Sequence, residues 1–248
     1  MAPAPPKSQT LRNRAGEVRH LVYLAQLTLT RLGHRVDERT MVVLPLVLSS
    51  LDMADTVCFL LEAAPERYWV GAAALQRAQI EHLLRAAYFA RAATEVEVEA
   101  FRTEGELPRR PHDRPDRPDR TIYLREIAQE AYQEVLGDDL PKLLAMIKNH
   151  HGDLSGFLHG GKEIVDVYSR MHDELGNIEL EWDELLGTVD NVAVFVQFAV
   201  GVAMGLSPLE PEQIDAAARA SYEQGMAYMH ERPRAADEPE EPEEPEER

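Results

Sequence analysis

One stretch, residues 66–93, restricts the fold more than any other part of the chain. It reads ERYWVGAAALQRAQIEHLLRAAYFARAA, and apolar residues occupy almost every side of the helix that it predicts. A helix that is apolar all round needs neighbours on several sides, because its surface is stable only away from water. We therefore expect an all-α bundle with this helix at its centre.

Three charged residues interrupt this central helix at steps of four. Arg77, Glu81 and Arg85 share one face, since residues four apart are neighbours on a helix. Glu81 can pair with either arginine, which leaves guanidinium donors that need an acid on another helix, a helix-end carbonyl or a ligand anion. The stripe is therefore either a structural ion network or part of a polar site.

Helical periodicity also accounts for most of the remaining chain. The predicted fold is a single all-α bundle of about seven to nine helices over residues 8–231. Pro45 is expected to kink the second helix or to mark its late start. Residues 162–170 fit a helix or a short strand. The other expected helices are 8–33, 37–64, 65–93, 121–136, 140–150, 181–206 and 210–231.

Three segments lack the apolar content of a core. Residues 1–7 and the acidic proline–glutamate tail 232–248 are expected to be disordered. Residues 104–120 end in PRRPHDRPDRPDR and are expected to form an exposed loop. This loop is the one basic island, so it is either a solvated insertion or a contact for RNA, an acidic partner or the tail.

Charge and composition narrow the functional classes. The net charge of -18 disfavours a broad nucleic-acid surface, because phosphate backbones are themselves negative. The apolar run 192–206 is short of the roughly 20 residues of a membrane helix, so we expect a buried bundle helix and no membrane partner. The single cysteine, Cys58, and an N-terminus without a signal-peptide pattern favour a cytoplasmic location.

The segment HHGDLSGFLHGG, residues 150–161, concentrates histidine and glycine. Gly160 and Gly161 are expected to end a short helix, since glycine is the preferred left-handed cap. Ser155 and His159 would then lie one turn apart, and the helix dipole would favour a charged His159 facing Glu81. The candidate polar cluster therefore comprises Arg77, Glu81, Arg85, Ser155 and His159.

The motif R-x-x-x-E-x-x-x-R, followed by S-x-x-x-H-G-G, resembles those of uncharacterised bacterial all-helical families of unknown function. The resemblance covers about residues 60–205 and implies an all-helical fold with a shared polar cluster and no established activity. The bundle is also distantly similar to the HEPN superfamily, which includes ribonucleases of toxin and phage-defence systems. Their Arg-x(4–6)-His motif occurs twice here, about as often as chance predicts.

The sequence signals for a metal site and for a catalytic nucleophile are weaker than those for the polar cluster. His150, His151, Asp153 and His159 are suitable ligand types, but their spacing matches no closed structural site, so we expect no metal. Ser155 with His159 lacks a nucleophile elbow, and no cofactor is expected.

Two hypotheses follow. The first is a non-enzymatic binding or dimerising module, a homo-oligomer or the partner of another protein. The alternative is a HEPN-like ribonuclease acting on RNA, which requires a cluster that opens into a cleft wide enough for a phosphate. Whether the protein is an enzyme stays open at this point.

Overall fold

A computed structural model of the chain describes residues 6–112, 116–148, 162 and 180–230. Most of this part is helical, which confirms the predicted all-α class. A 3-10 turn, Gly137–Asp139, precedes α6, and a two-residue antiparallel ladder, β1 (Arg109–Arg110) with β2 (Arg120–Thr121), lies before α5. The helices are α1 (Lys7–Arg31), α2 (Glu38–Ala63), α3 (Pro65–Arg91), α4 (Glu95–Glu104), α5 (Leu124–Leu136), α6 (residues 140–148), α7 (Trp182–Met204) and α8 (Pro211–His230).

Local sequence signals set the helix ends. The Asp37 carboxylate accepts a hydrogen bond from the Thr40 N–H at 2.8 Å, and the Asp37 N–H donates back to the Thr40 hydroxyl at 2.9 Å, which caps α2. Pro65 occupies the first turn of α3, where its missing N–H costs nothing. Gly33 and Gly105 follow α1 and α4 with φ of +59° and +71°, a conformation that glycine adopts without strain.

The central position expected for the third helix is observed. α3 packs along α2 and contacts α5 and α7, while α1 lies against α2, α7 and α8. The apolar run predicted as a bundle helix falls largely within α7, whose central residues are buried. The largest side chains of the core include Tyr88, Phe89, Tyr132, Phe195, Leu11 and Leu61.

α2 and α7 are the two described helices long and apolar enough to cross a membrane. About half of the most apolar 18-residue stretch is buried in each, 44% in α2 and 50% in α7. The core helix of a helical bundle meets the same criteria of length and composition, so this finding is weak evidence for a membrane span.

Pro45 does not break α2, which runs without interruption from Glu38 to Ala63. A proline removes one backbone hydrogen bond, here the one to the carbonyl of Met41. Both Met41 and Pro45 are exposed, so that carbonyl lies on the solvent side of the helix. A late start of the helix, one of the two expectations, is therefore not observed.

The charged region differs most from the sequence prediction. It is preceded by α4, a helix that the sequence did not predict. The two ends of the expected loop are held by backbone hydrogen bonds. Pro108 is buried, and its carbonyl accepts a hydrogen bond from the Ile122 N–H at 2.9 Å. The ladder pairs Arg110 with Arg120, so the two ends of the segment that connects them lie side by side.

Several predictions fall outside the described residues. These are the disorder expected for most of residues 1–7 and for the tail 232–248, the conformation of nearly all of residues 162–170, and the capped helix over residues 153–161. Ser155, His159, Gly160 and Gly161 belong to this last segment.

Candidate functional site: the polar stripe of α3

Arg77, Glu81 and Arg85 form the α3 stripe. Arg77 Nε donates to Glu81 Oε1 at 2.9 Å, and Arg85 Nη2 donates to Glu81 Oε2 at 3.4 Å. The helix itself sets this geometry, because residues four apart lie one turn above one another. Two guanidinium groups therefore share one carboxylate.

Burial of the stripe changes along its length. The side chain of Arg77 is 10% exposed, that of Glu81 is 21% exposed and that of Arg85 is 28% exposed. Arg77 is the more enclosed because α3 is covered on several sides by α2, α5 and α7. The stripe is thus closed at Arg77 and reaches solvent towards Arg85.

Two donor nitrogens of the stripe have no acceptor among the residues that the structure describes. Arg77 Nη1 and Arg85 Nε are both buried, and neither makes a hydrogen bond within the described part of the chain. Buried polar atoms are normally satisfied, and an unsatisfied one attached to a charged group is especially costly. The arrangement therefore offers two donors to an acceptor such as a carboxylate or a phosphate oxygen.

Polar side chains on either side of the stripe are held in place by neighbouring helices. His82 Nδ1 lies 3.0 Å from the Ser49 hydroxyl of α2. Burial, reinforced by the charge of Arg85, lowers the pKa of His82 below its usual value, so this imidazole is neutral at pH 7. Gln76 Nε2 donates to the Thr188 carbonyl of α7 at 3.1 Å, which ties the stripe-bearing helix to α7.

A second polar group, the Arg110 cluster, lies where α3, α4, α5 and β1 meet and consists of Tyr88, Glu97, Arg110 and Glu130. Arg110 donates to Glu97 Oε1 at 2.9 Å, to Glu130 Oε2 at 2.8 Å and to the Tyr88 hydroxyl at 2.8 Å. Tyr88 in turn donates to Glu97 Oε2 at 3.1 Å. Arg110, one arginine of the basic island, therefore links β1 to α3, α4 and α5.

The surroundings of the Arg110 cluster keep Tyr88 protonated and favour the carboxylate form of Glu97. Burial raises the pKa of Tyr88 to about 12, so its hydroxyl stays protonated. Burial also pushes the pKa of Glu97 upward, but hydrogen bonds from the Thr94 N–H and from Arg110 outweigh this and lower it overall. The sequence alone did not indicate this cluster, although the Thr94-x-x-Glu97 capping box signals the helix that presents Glu97.

The two Arg-x(4–6)-His motifs do not bring their residues to one point. Arg77 binds Glu81, whereas His82 contacts α2. Arg14 donates to Asp190 of α7 at 2.9 Å, while the ring of His20 stacks on Tyr23 at 6.3 Å.

Other predicted site residues are not part of the described geometry. Ser155 and His159, the expected partners of the stripe, and the histidines weighed as metal ligands lie outside the described residues. Within the residues that the structure does describe, no group of three or more His, Cys, Asp or Glu side chains could hold a metal ion. Whether Ser155 and His159 join the stripe stays a prediction.

One known protein family matches most of the chain. The family of unknown function DUF6988 matches residues 47–224, well over half of the sequence. The chain belongs to this family. The DUF6988 match extends from the middle of α2 into α8 and contains the whole α3 stripe. Membership of DUF6988 confirms the expected likeness to an uncharacterised family, while the motifs named for it and a relation to HEPN bundles stay predictions. No curated protein and no solved structure matches the chain.

Proposed function

We propose that the protein is a helical binding module that receives an anionic group of its ligand at the α3 stripe. The observation that carries this proposal is the excess of buried donors, since Arg77 and Arg85 share Glu81 and each keeps one buried guanidinium nitrogen without an acceptor in the described residues. A buried cation that is incompletely paired is costly, and a bound carboxylate or phosphate offsets that cost.

The exposure gradient supports an entry route. The Arg85 end of the stripe is the more exposed, so an anionic group can approach there and reach towards Arg77. Guanidinium groups suit this task because their planar fork donates two parallel hydrogen bonds to a carboxylate or phosphate.

Thermal unfolding with added anions tests the proposal. Inorganic phosphate and acetate are titrated separately at constant ionic strength, balanced with sodium chloride. A ligand at a hundred times its Kd stabilises a protein by about 2.7 kcal/mol, so a saturable rise in Tm is expected for the anion that fits. Comparison of the two anions identifies the chemical class.

Two variants make the test specific. R85Q should abolish the anion-dependent rise in Tm, because it removes the more exposed guanidinium of the stripe. The control R14Q removes a partly buried arginine that pairs with Asp190 and not with Glu81, and it should lower Tm while keeping the rise. An equal rise in R85Q and in the unmodified protein, or no rise with either anion, would show that the stripe is a structural network.

The ribonuclease alternative has less support from the geometry. Residues five apart point about 140° from one another around a helix, so Arg77 and His82 face different sides of α3. Cleavage of a fluorescent RNA that H82A abolishes and R85Q leaves unchanged would favour that alternative.

A further inference from the structure

The outward side of α2 carries a line of mostly apolar residues that reach solvent. Met41, Leu48 and Phe59 are 53%, 44% and 51% exposed. They are 7 and 11 positions apart, close to two and three whole helical turns, so they lie along one side of the helix. We call this line the α2 outer stripe, and it consists of Met41, Pro45, Leu48, Asp52, Thr56 and Phe59.

α2 is apolar on its inner side as well, where Val43, Val47 and Leu51 are fully buried. A surface helix normally turns polar residues outward, and a helix that is apolar all round is normally enclosed. Large apolar side chains left in water forfeit about 25 cal/mol for each Å² that a partner could cover. The outer stripe therefore has the composition of a covered surface.

A groove of about 600 Å³ between α1 and α2 runs beside the stripe and carries charges of both signs. Arg19 Nε donates to Asp55 Oδ1 at 2.9 Å, and its guanidinium lies 5.3 Å from the centre of the Phe59 ring. Tyr23, which is 55% exposed, stands at the rim. The groove is lined by Arg19, His20, Val22, Tyr23, Gln26, Asp52, Asp55 and Thr56.

We propose that a second copy of this chain covers the α2 outer stripe in a twofold-symmetric dimer. A twofold interface pairs a surface with itself, so it needs a patch that is self-complementary in shape and charge. A groove in which the cation Arg19 lies close to the carboxylates of Asp52 and Asp55 satisfies this condition, whereas a strongly acidic or basic partner would meet like charges there.

Symmetry specifies the register. With the axis beside residue 50, the two α2 helices run antiparallel and Met41 of one copy meets the partner's Phe59. Leu48 then lies beside the partner's Asp52, next to the mixed-charge groove. Residues 41 to 59 span about 27 Å at 1.5 Å per residue, a contact of several turns. A thioether against an aromatic ring is a favourable contact in addition to the buried area.

A lipid surface suits this face less well. Asp52 lies in the middle of the stripe, and its carboxylate would have to enter the apolar layer at a high cost. The net charge of -18 also repels anionic headgroups. The same charge makes two copies repel each other at long range, so salt should strengthen the dimer by screening this repulsion.

Sedimentation equilibrium of the full chain at low and high salt is the first test. We expect a monomer–dimer equilibrium with a smaller Kd at high salt. L48E and F59E should raise Kd by about 100-fold or more, because each new carboxylate is buried twice in a symmetric dimer. The control V135E changes an equally exposed apolar residue of α5 and should leave Kd unchanged. Circular dichroism establishes that the variants are folded.

Cross-linking tests the register. M41C and F59C proteins are mixed with oxidised glutathione, which supplies the oxidant for disulfide formation. The mixture should give a covalent heterodimer, and M41C alone should give none. The native Cys58 is buried and does not compete.

Several results would overturn the inference. They are a monomer at all concentrations, a Kd that V135E raises as much as L48E does, or cross-linking of M41C to itself. Binding of a monomer to phosphatidylcholine vesicles, lost in F59E, would assign the stripe to a membrane instead. None of these outcomes depends on the anion site, so the two proposals fail separately.

Discussion

Arg110 connects β1 to three helices through one guanidinium group, with hydrogen bonds to Tyr88 of α3, Glu97 of α4 and Glu130 of α5. R110Q should lower the free energy of unfolding by about 1–3 kcal/mol, because it leaves partly buried carboxylates without their cation. Urea denaturation measures the change. The neighbouring Arg109 is exposed, so R109Q should remain within about 0.5 kcal/mol of the unmodified protein. Equal effects of the two variants would contradict the role of Arg110.

The predicted contact between Glu81 and His159 also belongs to the residue scale. E81Q should destabilise the fold by a few kcal/mol if the stripe is structural, since Arg77 and Arg85 then lose their shared carboxylate. H159A and the double variant complete a thermodynamic cycle, read by chemical denaturation. Contacting residues give a non-additive result, whereas strict additivity would remove His159 from the cluster. If the cluster serves binding instead, E81Q should change stability little, and the anion-dependent rise in Tm should persist or grow, because the carboxylate that competes for both guanidinium groups is gone.

At the scale of elements, most of the basic island is the segment that connects two paired strands, β1 and β2. Replacing residues 111–119 by a short Gly/Ser linker should keep Tm nearly unchanged, because Arg110 and Arg120 remain paired and closure entropy varies slowly with loop length. Replacing 108–120 removes both arginines and the buried Pro108, so Tm should fall clearly. Differential scanning calorimetry distinguishes the two deletions, and equal Tm values for both would mean that the anchors contribute nothing.

At the scale of the whole molecule, carboxylates held by arginines make the fold sensitive to acid. Hydrogen bonds from Arg120 lower the pKa of Glu126 from 4.5 to about 2. A carboxylate with a depressed pKa in the folded state stabilises the protein above its unfolded pKa, and this contribution is lost as pH falls through the folded pKa. The free energy of unfolding should therefore decline between pH 4.5 and pH 2.

R120Q tests this pH dependence directly. Without Arg120 the pKa of Glu126 returns towards its unfolded value, so the decline below pH 4.5 should be shallower than in the unmodified protein. Urea denaturation at a series of pH values supplies the measurement. The exposed Arg117 offers a matched control, and R117Q should follow the original curve. A curve for R120Q that parallels the original would show that Glu126 keeps its depressed pKa for another reason.

The sequence by itself determined the features that depend on neighbours along the chain. Helical periodicity, a proline in the first turn and glycine after the last turn located most helices within a few residues. The α3 stripe was predictable for the same reason, because the four-residue spacing of Arg77, Glu81 and Arg85 specifies one helix face whatever surrounds it. Glu81 pairs with both arginines in the structure, as its position between them allows.

Only the tertiary structure decided which of several chemically similar residues are covered by other parts of the protein. Arg109 and Arg110 are adjacent in the same basic segment, yet only Arg110 reaches carboxylates of α4 and α5. Arg14 and Asp190 form an ion pair across 176 positions of sequence. The sequence also did not show that Met41 and Phe59 are exposed. A helix that is apolar all round does not indicate which side its neighbours leave open. The physical reason is that contacts between helices depend on how whole helices pack, and local spacing contains no record of that packing.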